Sequence, residues 1–265
     1  MSESYEDLAV ERLGAVGWIK INRPDRRNAL RPETLAEICR AVDELTADAE
    51  VRALVLAGEG KHFAAGAEFS FLEGLKTTPA PQLKSQIYAH FQGAARRLHY
   101  CPKPTIAAVA GAAITVGCEL ALTCDFRLVA PTAEFHESWI KLGLLPPLGG
   151  LFLLPRLVGA GRAAEIMLAG RPIGAEEAVR IGLASEVVPT EMLRERAQAF
   201  AEQLAALPPL AYAAIKEGLR RGAESSMEKE WATNVLAQAM LLGTEDFAEG
   251  LAAIVEKRPA RFVGA

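Results

Sequence analysis

The sequence lacks the patterns that mark a metal site, a disulfide framework or a nucleic-acid-binding surface. Its 4 cysteines and 4 histidines form no CxxC, HxxxH or HExxH pattern, so we expect no metal site. We expect the cysteines to be reduced packing residues of a cytoplasmic protein. Lys and Arg number 29 against 33 Asp and Glu, a formal net charge of -4, which argues against nucleic acid as a partner.

Long hydrophobic runs are also missing. No apolar run reaches the roughly 18 residues that a membrane span needs, so we expect none. The first residues, MSESYEDLAVERLG, are acidic and contain no apolar core segment, so we expect no signal peptide. The 265 residues, 51% of them hydrophobic, allow one large domain or one domain with a small appendage.

The segment 107–129 combines an apolar strand, a small-residue turn and a short helix that carries one carboxylate, Glu119, in its first turn. A helix N-terminus presents free N–H groups and a partial positive charge, so it can hold a developing oxyanion. A buried strand-turn-helix with a helix-favouring Glu would look the same, because a glycine-rich turn is a weak signal. The segment 54–71 repeats the strand and the turn, at 64–67, and two such turns could supply two N–H groups to one oxygen.

Together these stretches resemble the crotonase family, also called the enoyl-CoA hydratase/isomerase family. In that family the first turn reads roughly F-x-A-G-A-D, and the second reads G-G-G-C-E-L-A before a C-D pair. The matching letters here are FAAGAE at 63–68, TVGCELA at 115–121 and CD at 124–125. Further matches follow in order along nearly the whole chain: INRP at 21–24, RNAL at 27–30, LGLLP at 142–146, GG at 149–150, GRPI at 170–173, GLASEVV at 182–188, TEDFAEG at 244–250 and EKRP at 256–259.

The resemblance implies an α/β fold with a ββα spiral core and a helical C-terminal region that packs homotrimers, often as dimers of trimers. A shift to helical patterning predicts a boundary near Pro208. The resemblance then implies a spiral acyl-CoA-binding core over 1–207 and an oligomer-packing region over 208–265. The implied substrate is an acyl-CoA thioester. Coenzyme A is part of that substrate, so no separate cofactor is implied.

By the same resemblance, Glu119 is the general acid/base, and the N–H groups of Ala67 and Val116 hold the oxyanion. We expect Val116 to have an ordinary helix-start conformation, because a β-branched residue with positive φ would be strained. The resemblance also implies that Arg27 and Lys257 bind coenzyme A, although either could be a solvated surface cation. Further substrate contacts are predicted from Ala29, Ala65, Gly66, Gly117 and Trp139.

Trp139 occupies the position of the family's second catalytic glutamate. We expect its indole to narrow and dry the acyl pocket and to raise the pKa of Glu119 by desolvation. Glu137 would be displaced by about 7 Å in an extended segment, so we expect it not to take over that role. Glu134 and His136 would lie on the alternate face, with structural or solvated roles.

Periodicity predicts the remaining elements. We expect two strands joined by a tight turn at Gly14, a parallel sheet beyond them, and helices from Met192 onward. The predicted segments are a helix over 32–47, a strand over 51–57, a loop over 73–81, a helix over 82–100, and strands over 126–129 and 133–135. The loop could be a lid over the ligand or an ordinary surface loop.

The sequence therefore favours an enoyl-CoA hydratase-like lyase. The missing second glutamate leaves other enolate reactions open, namely double-bond isomerisation, decarboxylation and thioester hydrolysis. A non-catalytic acyl-CoA-binding protein is a further alternative. A helical scaffold is a poorer one, because it would leave both small-residue turns unexplained.

Overall fold

A computed structural model describes residues 4–265, apart from the side chains of residues 86–88. Its strands form a six-stranded sheet in the order β1-β2-β3-β4-β6-β9 and a three-stranded sheet in the order β5-β7-β8. The strands are β1 Leu8–Leu13, β2 Val16–Ile21, β3 Ala53–Gly58, β4 Thr105–Val109, β5 Ala112–Ile114, β6 Phe126–Val129, β7 Glu134–His136, β8 Ile173–Gly174 and β9 Glu186–Val187.

The helices surround these sheets and extend beyond them at the C-terminal end. They are α1 Pro32–Ala47, α2 Phe69–Leu75, α3 Ala80–Gln86, α4 Gln92–Tyr100, α5 Val116–Thr123, α6 Gly150–Val158, α7 Ala160–Ala169, α8 Ala175–Arg180, α9 Leu193–Ala205, α10 Pro209–Gly222, α11 Met227–Leu241 and α12 Glu245–Glu256. Shorter helical turns lie at Pro24–Arg26, Ile87–Phe91, Ser138–Leu142 and Thr190–Met192. No helix within residues 4–265 is long and apolar enough to cross a membrane.

The large sheet is antiparallel only between β1 and β2, and its other pairings are parallel. Every residue of β4 is buried, as expected for a parallel strand that is covered on both faces. The predicted hairpin at Gly14 and the predicted parallel sheet are confirmed. The predicted helix over 32–47 is confirmed at both ends, since Pro32 suits the first helical position.

The predicted loop over 73–81 is wrong at both ends, because α2 continues to Leu75 and α3 begins at Ala80. Apolar side chains of α2, such as Leu72 and Leu75, line a cavity, and this packing favours a helix where composition alone suggested a loop. The predicted helix over 82–100 also begins earlier, and a π-helical turn at Ile87–Phe91 separates its two halves.

The helices predicted beyond Met192 are confirmed as α9 to α12. A partly buried ion pair attaches α10 to the core, with Lys216 Nζ 2.6 Å from Asp125 Oδ2. Arg52 adds a second attachment by donating hydrogen bonds to the carbonyls of Leu207 and Phe262. The division at 207/208 stays a prediction.

Candidate active site

The two small-residue turns lie side by side. Ala64 pairs with Ala113 of β5 in a parallel bridge, in which its N–H donates to Ala112 O and its carbonyl accepts from Ile114 N–H, both at 2.9 Å. A second parallel bridge joins Leu30 to Ala67 on the other side of the turn. The first turn is therefore held between the loop that ends at Leu30 and the strand that leads into α5.

Two glycines allow this close approach. A β-carbon at Gly117 would lie 2.6 Å from the carbonyl oxygen of Ala64, and one at Gly66 would lie 2.5 Å from Thr115 Oγ1. Gly66 also has a φ of 92°, a region that L side chains rarely adopt. The structure thus brings Gly66 and Gly117, both predicted site residues, to the contact between the turns.

The N–H groups of Ala67 and Val116 lie at this contact. Val116 is the first residue of α5, so its N–H has no partner within the helix. Among the backbone hydrogen bonds of the described residues, neither N–H acts as a donor outside regular elements. The hydrogen bonds beside Ala67 are made by its neighbours, Leu30 N–H to Gly66 O and Glu68 N–H to Leu30 O.

The expectation for Val116 is confirmed, because the positive φ falls on the preceding residue. Thr115 has φ 45° and ψ −106°, an unusual conformation for a β-branched residue. Two hydrogen bonds hold it there, from its N–H to His136 O at 2.7 Å and from Glu119 N–H to its carbonyl at 2.9 Å. Local strain that the surroundings enforce is typical of functional sites.

Glu119 is fully buried in the first turn of α5. Its Oε2 accepts hydrogen bonds from the N–H groups of Leu148 at 2.9 Å and Gly150 at 2.8 Å. Burial raises the pKa of Glu119 to about 7, and the backbone donors and Trp139 oppose that rise. The direction predicted from the sequence agrees, but the rise comes from burial of Glu119, whereas the Trp139 indole N–H acts against it. Sequence reasoning missed these two donors, although the glycine pair at 149–150 marked the loop leading into α6 that contains them.

Trp139 lines an apolar cavity and also acts on the Glu119 carboxyl. Its side chain is 5% exposed, and its indole N–H favours the ionised forms of both Glu119 and Glu137. Nε1 nevertheless makes no hydrogen bond with the described residues. Trp139 thus lines this cavity, and its predicted role in substrate binding stays a prediction.

The extended segment assumed around Glu137 is wrong, because β7 ends at His136 and a 3-10 turn begins at Ser138. The expectation that Glu137 does not take over the role of the second glutamate stays a prediction. Glu137 is 1% exposed, and burial together with the nearby Glu119 raises its pKa well above the usual range. His136 and Glu134 instead pair with each other at 3.2 Å near the surface, in keeping with structural or solvated roles.

A cavity of about 580 Å³ adjoins Ala67 and Trp139. The rings of Phe71 and Phe91 stack on each other in its wall, with centroids 5.4 Å apart. The remaining lining is mostly apolar and comes from Phe69, Leu72, Glu73, Leu75, Lys76, Leu83, Leu142, Leu144, Leu145 and Pro147. Such a volume and lining suit an apolar ligand that is fixed by a few polar groups.

Only some of the residues predicted to contact coenzyme A lie near the first turn. Arg27 is exposed, and its carbonyl accepts a hydrogen bond from Ala65 N–H at 3.0 Å, which places its loop, including Ala29, against the first turn. Buried Asn28, which sequence reasoning missed as a functional residue, fixes this loop by donating to the carbonyls of Glu59 and His62. Its position inside the RNAL motif at 27–30 could have identified it.

Lys257 lies elsewhere, exposed at the C-terminal end of α12. Within residues 4–265, no hydrogen bond or ion pair of its side chain joins it to Arg27 or to either turn.

Comparisons with known proteins agree with this geometry. The family model described as enoyl-CoA hydratase/isomerase matches residues 11–265. A probable enoyl-CoA hydratase of Mycobacterium tuberculosis is 38% identical over 259 residues, which cover 98% of each chain. A crotonyl-CoA hydratase of Syntrophomonas wolfei is 36% identical over 261 residues, covering 98% of this chain and 99% of the other.

Solved structures show the same likeness. A putative enoyl-CoA hydratase from Streptomyces coelicolor superposes with a TM-score of 0.94 at 34% identity, covering 100% of this chain and 97% of the other. An enoyl-CoA hydratase from Bacillus anthracis gives 0.92 at 32% identity, covering 98% and 100%. The chain therefore has the α/β crotonase fold and belongs to the enoyl-CoA hydratase/isomerase family, as an enzyme of the enoyl-CoA hydratase type.

Proposed function

We propose that this protein adds water reversibly to the double bond of a 2-enoyl-CoA, with Glu119 as the general acid/base. One observation carries the proposal. A fully buried carboxyl, held by two backbone N–H groups, lies next to two turns whose own N–H groups are free to bind an oxygen. This combination supplies both a proton acceptor and an oxyanion site.

In this proposal the N–H groups of Ala67 and Val116 bind the thioester oxygen. As water attacks the β-carbon, the electron pair of the double bond moves toward that oxygen, which becomes an enolate oxygen. Preorganised donors stabilise this developing charge, and loss of one such donor typically costs roughly 2.7–4 kcal/mol of transition-state stabilisation.

Glu119 handles the proton of the attacking water. Its carboxylate accepts that proton while the water oxygen bonds to the β-carbon, and the enolate then takes up a proton at the α-carbon to give a 3-hydroxyacyl-CoA. A general acid/base is most effective when its pKa lies near the working pH. The raised pKa of about 7 for Glu119 supports both directions of this transfer.

The acyl chain would occupy the cavity beside Trp139, and the coenzyme A part would pass the first turn toward Arg27. The cavity lining supports an apolar acyl chain, because a polar chain would lose hydrogen bonds with water there. Ala29, Ala65 and Gly66 would contribute backbone contacts along this path.

Assembly into a homotrimer, or a dimer of trimers, belongs to the same proposal. Large apolar side chains are exposed along α11 and α12, among them Trp231, Val235, Met240 and Ile254. Extended exposed apolar surfaces are typical of interaction sites. A neighbouring subunit could then bring Lys257 to coenzyme A. Light scattering after chromatography tests the assembly, and a monomeric mass would contradict it.

The tryptophan at position 139 favours a second candidate function, which uses the same enolate chemistry. Without a carboxyl at that position, one Glu119 could move a proton between two carbons of an enoyl-CoA and so isomerise its double bond. Decarboxylation, thioester hydrolysis and simple acyl-CoA binding are the remaining alternatives.

The deciding experiment uses crotonyl-CoA in heavy water. We expect loss of the enoyl-thioester absorbance, with deuterium at the α-carbon detected by mass spectrometry. Glu119→Gln should abolish both signals while binding persists, and Glu134→Gln, which changes an exposed carboxyl, should behave like the parent. Binding of crotonyl-CoA without any change in absorbance would overturn the hydratase proposal for this substrate.

A further inference from the structure

Glu137 is a buried carboxyl that the proposed reaction does not use. Both of its oxygens are buried, and neither has a hydrogen-bond partner among the described residues. A buried charge without partners is strongly unfavourable, so such a group either stays neutral or serves a purpose that offsets this cost. Its place in the fold indicates which of these applies.

The backbone carries Glu137 to the start of α5. Ile114 of β5 pairs with His136 of β7, and Thr115 N–H donates to His136 O at 2.7 Å. Glu137 follows directly, so it enters beside the helix turn that carries Cys118 and Glu119. The groups that act on its carboxyl are the Glu119 carboxyl, the Cys118 thiol and the Trp139 indole.

The distribution of donors decides which carboxyl carries the charge. Oε2 of Glu119 has two backbone donors from the loop that leads into α6, whereas its Oε1 and both oxygens of Glu137 have none among the described residues. The buried cation near Cys118 is Arg127, and its guanidinium donates to carbonyls instead, namely those of Ala121, Cys124 and Leu183. These surroundings support one negative charge, located on Glu119.

We infer that Glu119 and Glu137 form one carboxyl pair that carries a single negative charge near neutral pH, on Glu119, with Glu137 as a positioning residue that acts through Glu119. Two neighbouring carboxylates repel, so ionisation of either disfavours ionisation of the other. Burial and the charge on Glu119 together raise the pKa of Glu137 well above its usual range, which agrees with a neutral Glu137.

The kinetic part of this inference rests on the proposed function. During hydration the pair would gain a proton from water and later lose one to the α-carbon, while Glu137 keeps its own proton throughout. At higher pH, Glu137 would ionise and place a second charge beside Glu119. Activity should then fall on the alkaline side because of Glu137.

Infrared titration tests the pair without substrate. The C=O stretching band of a protonated carboxyl should persist at pH 8 in the parent protein, vanish in Glu137→Gln and remain in the control Glu134→Gln. In Glu119→Gln the band should disappear at a pH lower by about one unit or more, because the neighbouring charge is gone.

Several infrared results would overturn the pair: no band in the parent at pH 8, a band that Glu137→Gln leaves intact, or an unshifted band in Glu119→Gln. The Glu119→Gln arm decides the question even if Glu137→Gln does not fold, since glutamine can still accept both backbone hydrogen bonds. A failure of the parent to hydrate crotonyl-CoA would count against the proposed function alone.

The pH profile of turnover tests the positioning role. Glu137→Gln should keep the acid limb of the parent and move the alkaline limb upward by about one pH unit or more. Glu134→Gln should reproduce both limbs of the parent. An alkaline limb that stays in place in Glu137→Gln would overturn the role of Glu137.

Discussion

Gly66 and Thr115 are in direct contact across the two turns, because a β-carbon at Gly66 would lie 2.5 Å from Thr115 Oγ1. Thr115 carries the positive φ that lets α5 begin at Val116, and Gly66 immediately precedes Ala67. A displacement at this contact would therefore move both N–H groups that we assign to the oxyanion.

Gly66→Ala should accordingly lower both stability and activity. The clash and the φ of 92° should lower the free energy of unfolding by about 1–3 kcal/mol, and kcat/KM should fall more than KM rises. Urea denaturation and steady-state kinetics measure the two effects. Gly74→Ala is the matched control, because nothing lies within 4 Å of its β-carbon position on exposed α2, and it should be neutral or slightly stabilising. Equal behaviour of the two variants would contradict the contact.

Glu119→Gln should stabilise the protein at alkaline pH. The pKa of Glu119 rises from 4.5 to about 7 on folding, so the folded state binds the proton more tightly, and stability is lost as pH increases between these values. By pH 8 the parent should be less stable than Glu119→Gln by about 3 kcal/mol, a difference that is absent near pH 4. Urea denaturation at several pH values checks this, and parallel stability curves would contradict it.

Trp139→Phe should move the acid limb of the activity profile to higher pH. The indole N–H favours the ionised form of Glu119, so its removal should raise the pKa of that carboxyl further. Phenylalanine keeps an apolar wall at the cavity, so substrate affinity at a fixed pH should change little. The measurement is kcat/KM against pH, and an acid limb that stays or moves lower would exclude this role for the indole.

Phe71→Ala should weaken binding of long apolar acyl chains more than short ones. Phe71 stacks on Phe91 in the cavity wall, and removing it exposes apolar surface that a longer chain would cover. Loss of about 1.5 kcal/mol corresponds to roughly tenfold weaker binding. Dissociation constants for octenoyl-CoA and crotonyl-CoA, measured on the Glu119→Gln background to prevent turnover, test this. A uniform loss for both would argue against a chain-binding role.

Local patterns predicted the N-terminal hairpin and α1 well, because a turn at Gly14 and a buried face with helical spacing depend on neighbouring residues. Motif order also placed Glu119 in the first turn of α5. The hydrogen bonds of Glu119 could not be read in the same way, since their donors lie 29 and 31 residues away. The surroundings of Glu137 were not predicted, because the chain passes from strand β7 into a 3-10 turn at this residue. No residue pattern marked that change.

The loop before α6 binds one oxygen of Glu119 and leaves the other available. If Oε2 is committed to Leu148 and Gly150, proton transfer must pass through Oε1 alone. A single transferring atom reaches the planar substrate from one side, so the hydroxyl group and the new hydrogen would be delivered to the same face of the double bond. Hydration at this site would therefore be a syn addition that yields one stereoisomer of the alcohol.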